Sequence, residues 1–406
     1  MSNNSEVVQI RPLGHTKLFE PIAIGAHTLP QRIAFAPSTR QRGTVDYYPT
    51  DLQLPYYKAR AQYPGTLVIT EATYVAPGGA GRANVPGIWN DKQAAGWKKI
   101  TDAIRQEKSF SSIQLWHLGR TADPEQLKRD GQPFIAPSAI YMDQESEQHA
   151  KKVGNELRAA TKEEIEDLIN NVYPNGARKA LDAGFDFIEL HSAHGYFLDQ
   201  FLNPVTNHRT DEYGGSIENR ARLLLAIIDK LIPIVGAQRL AVRLSPWATF
   251  QVSDPEGAEI HAYILDQLQK RADEGNELAY ISLVEPRVSA SYDVAIEDQR
   301  GRSNAFADEH WKGKFVKAGN YTYDAPKFET MLHDLGNGRT VIAFSRFFTS
   351  NPDLVYRLKN GLPLQHYDRP TFYTHDNYGY NTWNSYDGSE QFDKEAEQKR
   401  VGKVLA

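Results

Sequence analysis

Two histidines and a tyrosine lie within six residues of one another, as His191, His194 and Tyr196. A neutral imidazole has an N–H that can donate to a carbonyl oxygen, and two such donors would stabilise the negative charge of an enolate. A phenol can give its proton to an enolate carbon at neutral pH. The segment therefore predicts carbonyl polarisation coupled to protonation of a carbon. Buried structural histidines, or a metal site with Asp199, are the alternatives; we expect no metal.

A buried cation is indicated by Arg243, which ends an otherwise apolar run. Beside an electron-rich ring, a fixed arginine would favour the reduced, anionic form of that ring. The alternative is an ion pair in the protein core with Glu71 or Glu189.

A phosphate site is indicated further along the chain, where Gly319-Asn320 and Ser345-Arg346 follow two apolar runs. Backbone N–H groups and an arginine are suited to phosphate, and the last two loops of a barrel commonly supply them. Ordinary turns also contain Gly and Asn, so each pair alone is a weak signal.

Short apolar runs alternate with amphipathic stretches along most of the chain. The predicted strands are residues 33–36, 67–70, 112–115, 187–190, 240–244, 279–283, 315–318 and 341–344. The predicted helices are residues 52–62, 91–106, 162–183, 217–234, 261–274, 306–311, 326–335 and 352–360. Nearly continuous apolar strands are typical of parallel sheets covered on both faces. The pattern predicts an α/β protein, a single (β/α)8 TIM barrel; an open doubly wound sheet is the alternative, although no G-x-G-x-x-G follows a strand.

Helix boundaries are marked by capping residues. Predicted N-caps are Thr161, Ser216 and Asn351, and predicted C-terminal stops are Gly184 and Gly361.

Two connections are longer than the others, residues 119–160 after the third strand and 285–304 after the sixth. In a TIM barrel both lie on the C-terminal face, where loops build the active site. We expect residues 1–406 to form one domain, with a polar tail over residues 379–406 packed outside the barrel.

The composition excludes several classes of function. The chain has 406 residues, a formal net charge of −5 and no basic segment that would suggest nucleic acid. Cysteine is absent, which excludes disulfides, iron–sulfur clusters and thiolate catalysis. Residues 1–10 lack the apolar core of a secretion signal, and no segment is long and apolar enough to span a bilayer. We therefore expect a cytoplasmic protein, and 21 tyrosines and 17 phenylalanines suit a flat, conjugated ligand.

The segment HSAHGYFLDQFLNPVTNHRTDEYGGSIENR, residues 191–220, closely resembles the signature of the Old Yellow Enzyme family. Similar matches are FAPSTR (35–40), PGTLVITE (64–71), IQLW (113–116), VRLSP (242–246), LVEPR (283–287), AGN (318–320) and RFFTSNPDL (346–354). The matches run in family order from about residue 16 to 375 and are most similar to the fungal branch.

The resemblance implies FMN as a tightly bound cofactor, NADPH as reductant, and a role for each matching residue. His191 and His194 would bind the substrate carbonyl, and Tyr196 would protonate the α-carbon. The implied FMN ligands are Pro37, Thr39, Ala72, Gln114, Arg243, Gly319, Asn320, Ser345 and Arg346. The implied walls of the substrate pocket are Trp116, Phe250, Tyr292 and Tyr373.

The reaction implied by the resemblance is reduction of the alkene in an α,β-unsaturated aldehyde or ketone, and a homodimer is common among such enzymes. The rivals are a flavin-loaded protein that binds phenols or steroids without turnover, and a barrel lyase or isomerase for a phosphorylated substrate.

The sequence departs from the family at Ala72 and Ser345, where glycine is frequent, and at His194, where many yeast members have asparagine. The loop at residues 288–304 matches the family pattern poorly, so the substrate range is the property that can least be inferred from the resemblance.

Overall fold

Eight parallel strands close into a barrel in the computed structural model, which describes residues 7–251, 257–290, 292–299 and 301–405. The strands are β1 (Ile33–Phe35), β2 (Leu67–Tyr74), β3 (Phe110–Trp116), β4 (Phe187–Ser192), β5 (Leu240–Leu244), β6 (Tyr280–Val284), β7 (Phe315–Ala318) and β8 (Thr340–Phe344). Each strand pairs with the next along the chain, and β8 pairs with β1. The predicted TIM barrel is confirmed. Residues 1–6, part of the segment inspected for a secretion signal, lie outside the described residues.

Helices follow the strands and cover the outside of the barrel. They are α1 (Gln53–Ala61), α2 (Asp91–Gln106), α3 (Lys162–Asp167, Leu168–Val172 and Tyr173–Asp182), α4 (Ile217–Val235), α5 (Gly257–Asp273), α6 (Ala305–His310), α7 (Glu329–Leu335) and α8 (Leu354–Asn360). The middle piece of α3 is a single π-helical stretch. Among the described residues, none of the helices is long and apolar enough to cross a bilayer.

Most of the predicted helix ends are confirmed. The side chains of Thr161 and Ser216 each accept a hydrogen bond from the third backbone N–H of the helix that follows. Gly184 and Gly361 adopt positive φ angles of 79° and 71° just after their helices. The prediction for Asn351 is wrong, because its side chain bridges Phe347 O and the backbone of the strand at residues 364–365 and the helix begins only at Leu354.

The barrel interior and the space between strands and helices form separate apolar clusters. Ile22, Ile24 and Leu29, from an N-terminal hairpin, pack on interior side chains such as Phe187 and Tyr280. This hairpin therefore covers one end of the barrel. Its turn requires glycine, since a Cβ on Gly25 would lie 2.0 Å from the carbonyl oxygen of Gln238.

Strand β2 is longer than the sequence predicts and changes its register against β3 between Ile69 and Ala72. Glu71 and Ala72 therefore lie inside the strand rather than beyond its end. The irregularity brings Ala72 opposite Gln114 of β3, so both residues reach the same end of the barrel.

The long connections carry secondary structure of their own. Residues 119–160 contain two helices, Pro124–Arg129 and Gln144–Val153, and a two-stranded ladder. Residues 285–304 contain a short hairpin, in which Val288–Ser289 pairs with Tyr292–Asp293. In the polar tail Tyr380 is fully buried, and Leu405 N donates to Pro49 O at 2.9 Å near the start of α1.

Candidate active site

A cavity of about 460 Å³ lies at the carboxyl ends of the barrel strands, and residues from or just after all eight strands line it. Every site residue predicted from the sequence lines this cavity. They are Pro37, Thr39, Ala72, Gln114, Trp116, His191, His194, Tyr196, Arg243, Phe250, Tyr292, Gly319, Asn320, Ser345, Arg346 and Tyr373. Residues that are up to 336 positions apart in the chain therefore share one site because parallel strands end at one face.

His191, His194 and Tyr196 form one cluster with Trp116. The ring of His191 lies 5.9 Å from that of His194 and 5.1 Å from that of Tyr196, in both cases edge to face. Trp116 contacts Tyr196 edge to face at 4.7 Å. Each ring therefore limits the rotation of its neighbours, and the three predicted groups face the same space.

A left-handed turn directs His194 into this cluster. His194 and Gly195 have φ angles of 57° and 73°. Hydrogen bonds hold the turn: His194 N donates to Ser245 Oγ at 2.8 Å, and Gly195 N donates to Asp199 Oδ2 at 2.7 Å. The Asp199 carboxylate thus supports the backbone of the turn. Among the described residues there is no group of three or more His, Asp or Glu side chains that could hold a metal ion.

Burial keeps both histidines neutral. It lowers the pKa of His194 to about 3, and the charge of Arg243 acts in the same direction. Burial also lowers the pKa of His191 well below its ordinary value, with further contributions from His194 and Arg243. His191 Nδ1 and His194 Nε2 are buried and have no hydrogen-bond partner among the described residues. Each imidazole therefore offers one N–H and one lone pair near neutral pH.

Tyr196 keeps its proton for the same reason. Burial raises the pKa of its phenol above the ordinary value, although the charge of Arg82 acts in the opposite direction. A buried, protonated phenol beside two neutral imidazoles can act as a proton donor at neutral pH.

Arg243 is fixed between β4 and β6, directly opposite His191 in the register of β4 and β5. Burial lowers the pKa of its guanidinium, and the charge of Glu189 partly offsets this effect. Of the two carboxylates proposed as ion partners, Glu71 instead accepts hydrogen bonds from Gln53 and Tyr57 at 2.7 and 3.0 Å. Glu189 is therefore the neighbouring carboxyl group, and the Nε of Arg243 has no partner among the described residues.

Gln114 lies beside this cation, and its Nε2 donates to Glu189 Oε1 at 2.5 Å. Thr39 follows β1 and lines the same cavity. A hydroxyl, an amide and a guanidinium are thus combined in one cavity.

Arg346, which follows β8 and lines the same cavity, has an acidic neighbour that the sequence did not predict. Arg346 donates to both carboxylate oxygens of Asp293, at 2.9 and 2.6 Å, and Asn320 Nδ2 donates to the same carboxylate at 2.9 Å. Burial alone would lower the pKa of Arg346, but the hydrogen bonds that it donates to Asp293 and Tyr367, together with the charges of these groups, raise its pKa overall. No motif singles out Asp293, because the hairpin that carries it has no periodic pattern.

The backbone at Gly319 can approach a ligand closely. A Cβ on Gly319 would lie 2.4 Å from the Cβ of Glu285, so glycine is required there. The departures at Ala72 and Ser345 are tolerated: Ser345 has a φ of −107°, and Ala72 lies within β2. Neither position needs glycine.

FMN matches this donor set. Its phosphate would be suited by a cation and backbone N–H groups, such as those of Arg346, Gly319 and Asn320, and its ring by hydrogen-bonding groups and a buried cation, such as those of Thr39, Gln114 and Arg243. The buried Nε of Arg243, which has no partner among the described residues, is a donor that the flavin ring would satisfy. These residues therefore fit the cofactor.

Sequence reasoning missed several residues of the site. Arg82 and Phe372 also line the cavity. Phe372 is held by two arginines, since Arg40 Nε and Arg42 Nη1 both donate to its carbonyl oxygen at 3.0 Å. The motif at residues 35–40 contains Arg40, but only the folded structure shows that Arg40 holds Phe372 at the wall of the cavity.

The barrel, the cavity at its carboxyl face and the fit to FMN together define a flavin-dependent oxidoreductase. Residues 17–365 match the model of the NADH:flavin oxidoreductase / NADH oxidase family. A "Probable NADPH dehydrogenase" of Candida albicans is 60% identical over 405 residues, covering 100% of this chain and 97% of that protein. "Enoate reductase 1" of Kluyveromyces lactis is 42% identical, covering 93% of this chain and 96% of that protein.

Solved structures agree with these relatives. The Old Yellow Enzyme from Pichia sp. AKU4542 is 46% identical with a TM-score of 0.89, covering 97% of this chain and 100% of the other. Morphinone reductase is 35% identical with a TM-score of 0.79, covering 92% and 97%. The chain belongs to the NADH:flavin oxidoreductase / NADH oxidase family and, within it, to the fungal Old Yellow Enzymes. It is an oxidoreductase with FMN as cofactor and NAD(P)H as reductant, which excludes the lyase or isomerase alternative.

Proposed function

We propose that this enzyme reduces the alkene of α,β-unsaturated aldehydes and ketones. The observation that carries the proposal is the cluster of two neutral imidazoles and a protonated phenol at the cavity, formed by His191, His194 and Tyr196. The name of the Kluyveromyces relative, an enoate reductase, supports reduction of an alkene that is conjugated to a carbonyl group.

His191 and His194 hold the carbonyl oxygen of the substrate. Because both rings are neutral, each donates one N–H to that oxygen without carrying a full charge of its own. Negative charge develops on the oxygen only as a hydride reaches the β-carbon. The two donors therefore stabilise the transition state more than the bound substrate, which accelerates the reaction.

Tyr196 gives its proton to the α-carbon. The O–H bond of the phenol breaks, a C–H bond forms from the enolate electron pair, and the enolate oxygen becomes a carbonyl oxygen again. The chemistry that bound FMN supplies is hydride transfer, from NADPH in one half-reaction and to the β-carbon in the other.

The residues that hold FMN divide by chemistry. Of the residues that line the cavity, Thr39, Gln114 and Arg243 would supply polar contacts to the ring, and Pro37 and Ala72 would supply backbone around it. Gly319, Asn320, Ser345 and Arg346 would hold the phosphate. Trp116, Phe250, Tyr292 and Tyr373 form aromatic walls for a small, planar substrate. Tyr292 and Tyr373 are 63% and 51% exposed, which places them at the cavity entrance.

The substitution Tyr196→Phe tests this proposal. It removes the proton donor but keeps the ring that packs on Trp116, so NADPH should still reduce the flavin while alkene reduction slows by about 10²-fold or more. Stopped-flow absorption separates the two half-reactions. An equal loss in both would contradict the role of Tyr196. A wild-type flavin that NADPH barely reduces would instead support the phenol- or steroid-binding alternative.

A further inference from the structure

Glu189 is a buried carboxyl group that no part of the proposed reaction uses. Successive side chains of a strand point to opposite faces, so Phe187, Glu189 and His191 share one face of β4. Phe187 packs in the apolar cluster of the barrel interior, and His191 lines the cavity. Glu189 therefore lies in the interior between the two, one layer of side chains below the cavity, and it is fully buried.

A short hydrogen bond joins this carboxyl group to the lining of the cavity. Gln114 of β3 lies opposite Glu189 in the strand register, and Gln114 Nε2 donates to Glu189 Oε1 at 2.5 Å. Gln114 is itself 1% exposed and lines the cavity. Because a buried polar group without a partner costs free energy, this bond stabilises both side chains. The amide of Gln114 thus lies between Glu189 and the cavity.

The hydrogen bond determines how the amide of Gln114 is turned. A side-chain amide has a donor end and an acceptor end, whereas a carboxyl group has an acceptor oxygen whether or not it is protonated. If the amide were turned over, its oxygen would face the carboxylate oxygen of Glu189 and be repelled by it. Glu189 therefore favours the orientation in which Nε2 faces the interior, and the amide oxygen is the acceptor left for a ligand in the cavity.

We propose that Glu189 is a positioning residue for Gln114: it holds the amide so that its oxygen can accept from the imide N–H of the flavin ring. The proposal rests on the proposed function, in which Gln114 contacts that ring. The ring has one N–H between two carbonyl groups, so an acceptor held in place complements it. An amide that is already oriented loses less conformational freedom when the cofactor binds, which strengthens binding.

The other role that the position of Glu189 allows is that of a counter-ion for Arg243. Burial raises the pKa of Glu189, and the charge of Arg243 acts in the opposite direction. In the strand register, however, Glu189 lies opposite Ala241, and Arg243 lies two residues further along β5. The contact with Gln114 is a direct hydrogen bond, whereas Arg243 acts on Glu189 through its charge. A counter-ion would act independently of Gln114, but a positioning residue acts through it.

A double-mutant cycle separates these two roles, with the dissociation constant of FMN measured by fluorescence titration of each apoprotein. Gln114→Leu removes the amide, Glu189→Met removes its support, and a third variant carries both substitutions. Each single substitution should raise the dissociation constant about tenfold, the loss expected for one hydrogen bond. The double variant should bind FMN about as tightly as Gln114→Leu. Losses that multiply to about 100-fold would show that Glu189 acts independently of the amide and would overturn the proposal.

Exchanging the two side chains gives a second test, which does not depend on the folding of Glu189→Met. Glu189→Gln alone keeps an acceptor oxygen for Gln114 and should bind FMN within about threefold of the wild type. Gln114→Glu alone places two carboxyl groups in contact and should weaken binding about tenfold or more. Adding Glu189→Gln to Gln114→Glu restores a donor between the two positions and should improve binding by about threefold or more. No improvement would contradict the positioning role.

The chain offers a matched control in Glu71. This buried carboxyl group also accepts from a glutamine, Gln53 Nε2 at 2.7 Å, but neither of these two described residues lines the cavity. Glu71→Met should lower the melting temperature and leave the dissociation constant of FMN within about twofold. An equal loss of FMN affinity in Glu71→Met and Glu189→Met would show that Glu189 has no specific role.

Two further outcomes distinguish this proposal from the proposed function. If Gln114→Leu weakens FMN binding but Glu189→Met does not, the role of Glu189 is wrong and the assignment of Gln114 to the ring stands. If Gln114→Leu binds FMN as the wild type does, the assignment of Gln114 fails first, and the role of Glu189 fails with it.

Discussion

The site illustrates at the residue scale how burial selects the protonation states that catalysis needs. Removing water from His191 and His194 favours the neutral imidazoles, and removing it from Tyr196 favours the neutral phenol. Burial thus keeps two N–H groups available to donate to the carbonyl oxygen and one O–H group available to protonate the α-carbon. The nearby charge of Arg243 strengthens the effect on both histidines.

A single substitution of Arg346 tests the proposed phosphate site. Arg346→Ala removes the guanidinium that faces the cavity, and a charge-assisted contact of this kind contributes about 1.5–3 kcal/mol. We expect the dissociation constant of FMN to rise by about 10–100-fold, measured by fluorescence titration of the apoprotein. Arg178→Ala, on the outside of the barrel, is the control. Full flavin retention by Arg346→Ala after dialysis would contradict the assignment.

Individual strands and loops explain what the sequence could predict. The strands were identifiable because a parallel strand covered on both faces is mostly apolar, as β5 and β8 are, and Arg243 near the end of β5 and Arg346 after β8 then stood out. Asp293 and Arg82 could not be found in this way. Their positions depend on contacts between loops, such as that of Gly81 with Asp123, and such contacts leave no periodic pattern.

The hairpin after β6 provides a test of one such contact. Asp293 fastens it to Arg346 and Asn320, and a bidentate, half-exposed ion pair contributes about 1 kcal/mol. Asp293→Asn should therefore open the hairpin more often and speed limited proteolysis within residues 287–302 by about fivefold, as followed by mass spectrometry. Asp298→Asn changes an exposed carboxylate of the same loop. Equal cleavage of both variants and the wild type would show that Asp293 does not hold the hairpin.

Buried histidines affect the stability of the whole molecule as well as the active site. His117 stacks on Phe197 at 4.0 Å and its Nδ1 accepts a hydrogen bond from Gly119 N at 3.0 Å. Burial lowers its pKa to about 3, whereas an exposed histidine titrates near 6.5. The unfolded chain therefore takes up a proton that the folded protein refuses, and stability is lost as the pH falls below about 6.5.

The variant His117→Asn isolates this effect, because its side-chain oxygen can still accept from Gly119 N but does not titrate. Relative to this variant, the wild-type enzyme should lose up to about 2 kcal/mol of unfolding free energy between pH 6.5 and pH 5. Urea denaturation of both proteins at several pH values measures the difference. Curves that stay parallel over this range would mean that His117 titrates normally in the folded state.

The central claim is that an FMN-loaded barrel transfers reducing equivalents from NADPH to an activated alkene, and one anaerobic absorption experiment tests it most directly. The purified protein should show the visible bands of oxidised flavin, lose them when NADPH is added, and regain them when excess 2-cyclohexenone follows, with cyclohexanone as the product. A colourless protein that takes up no FMN, or a reduced flavin that the enone leaves unchanged, would contradict the account.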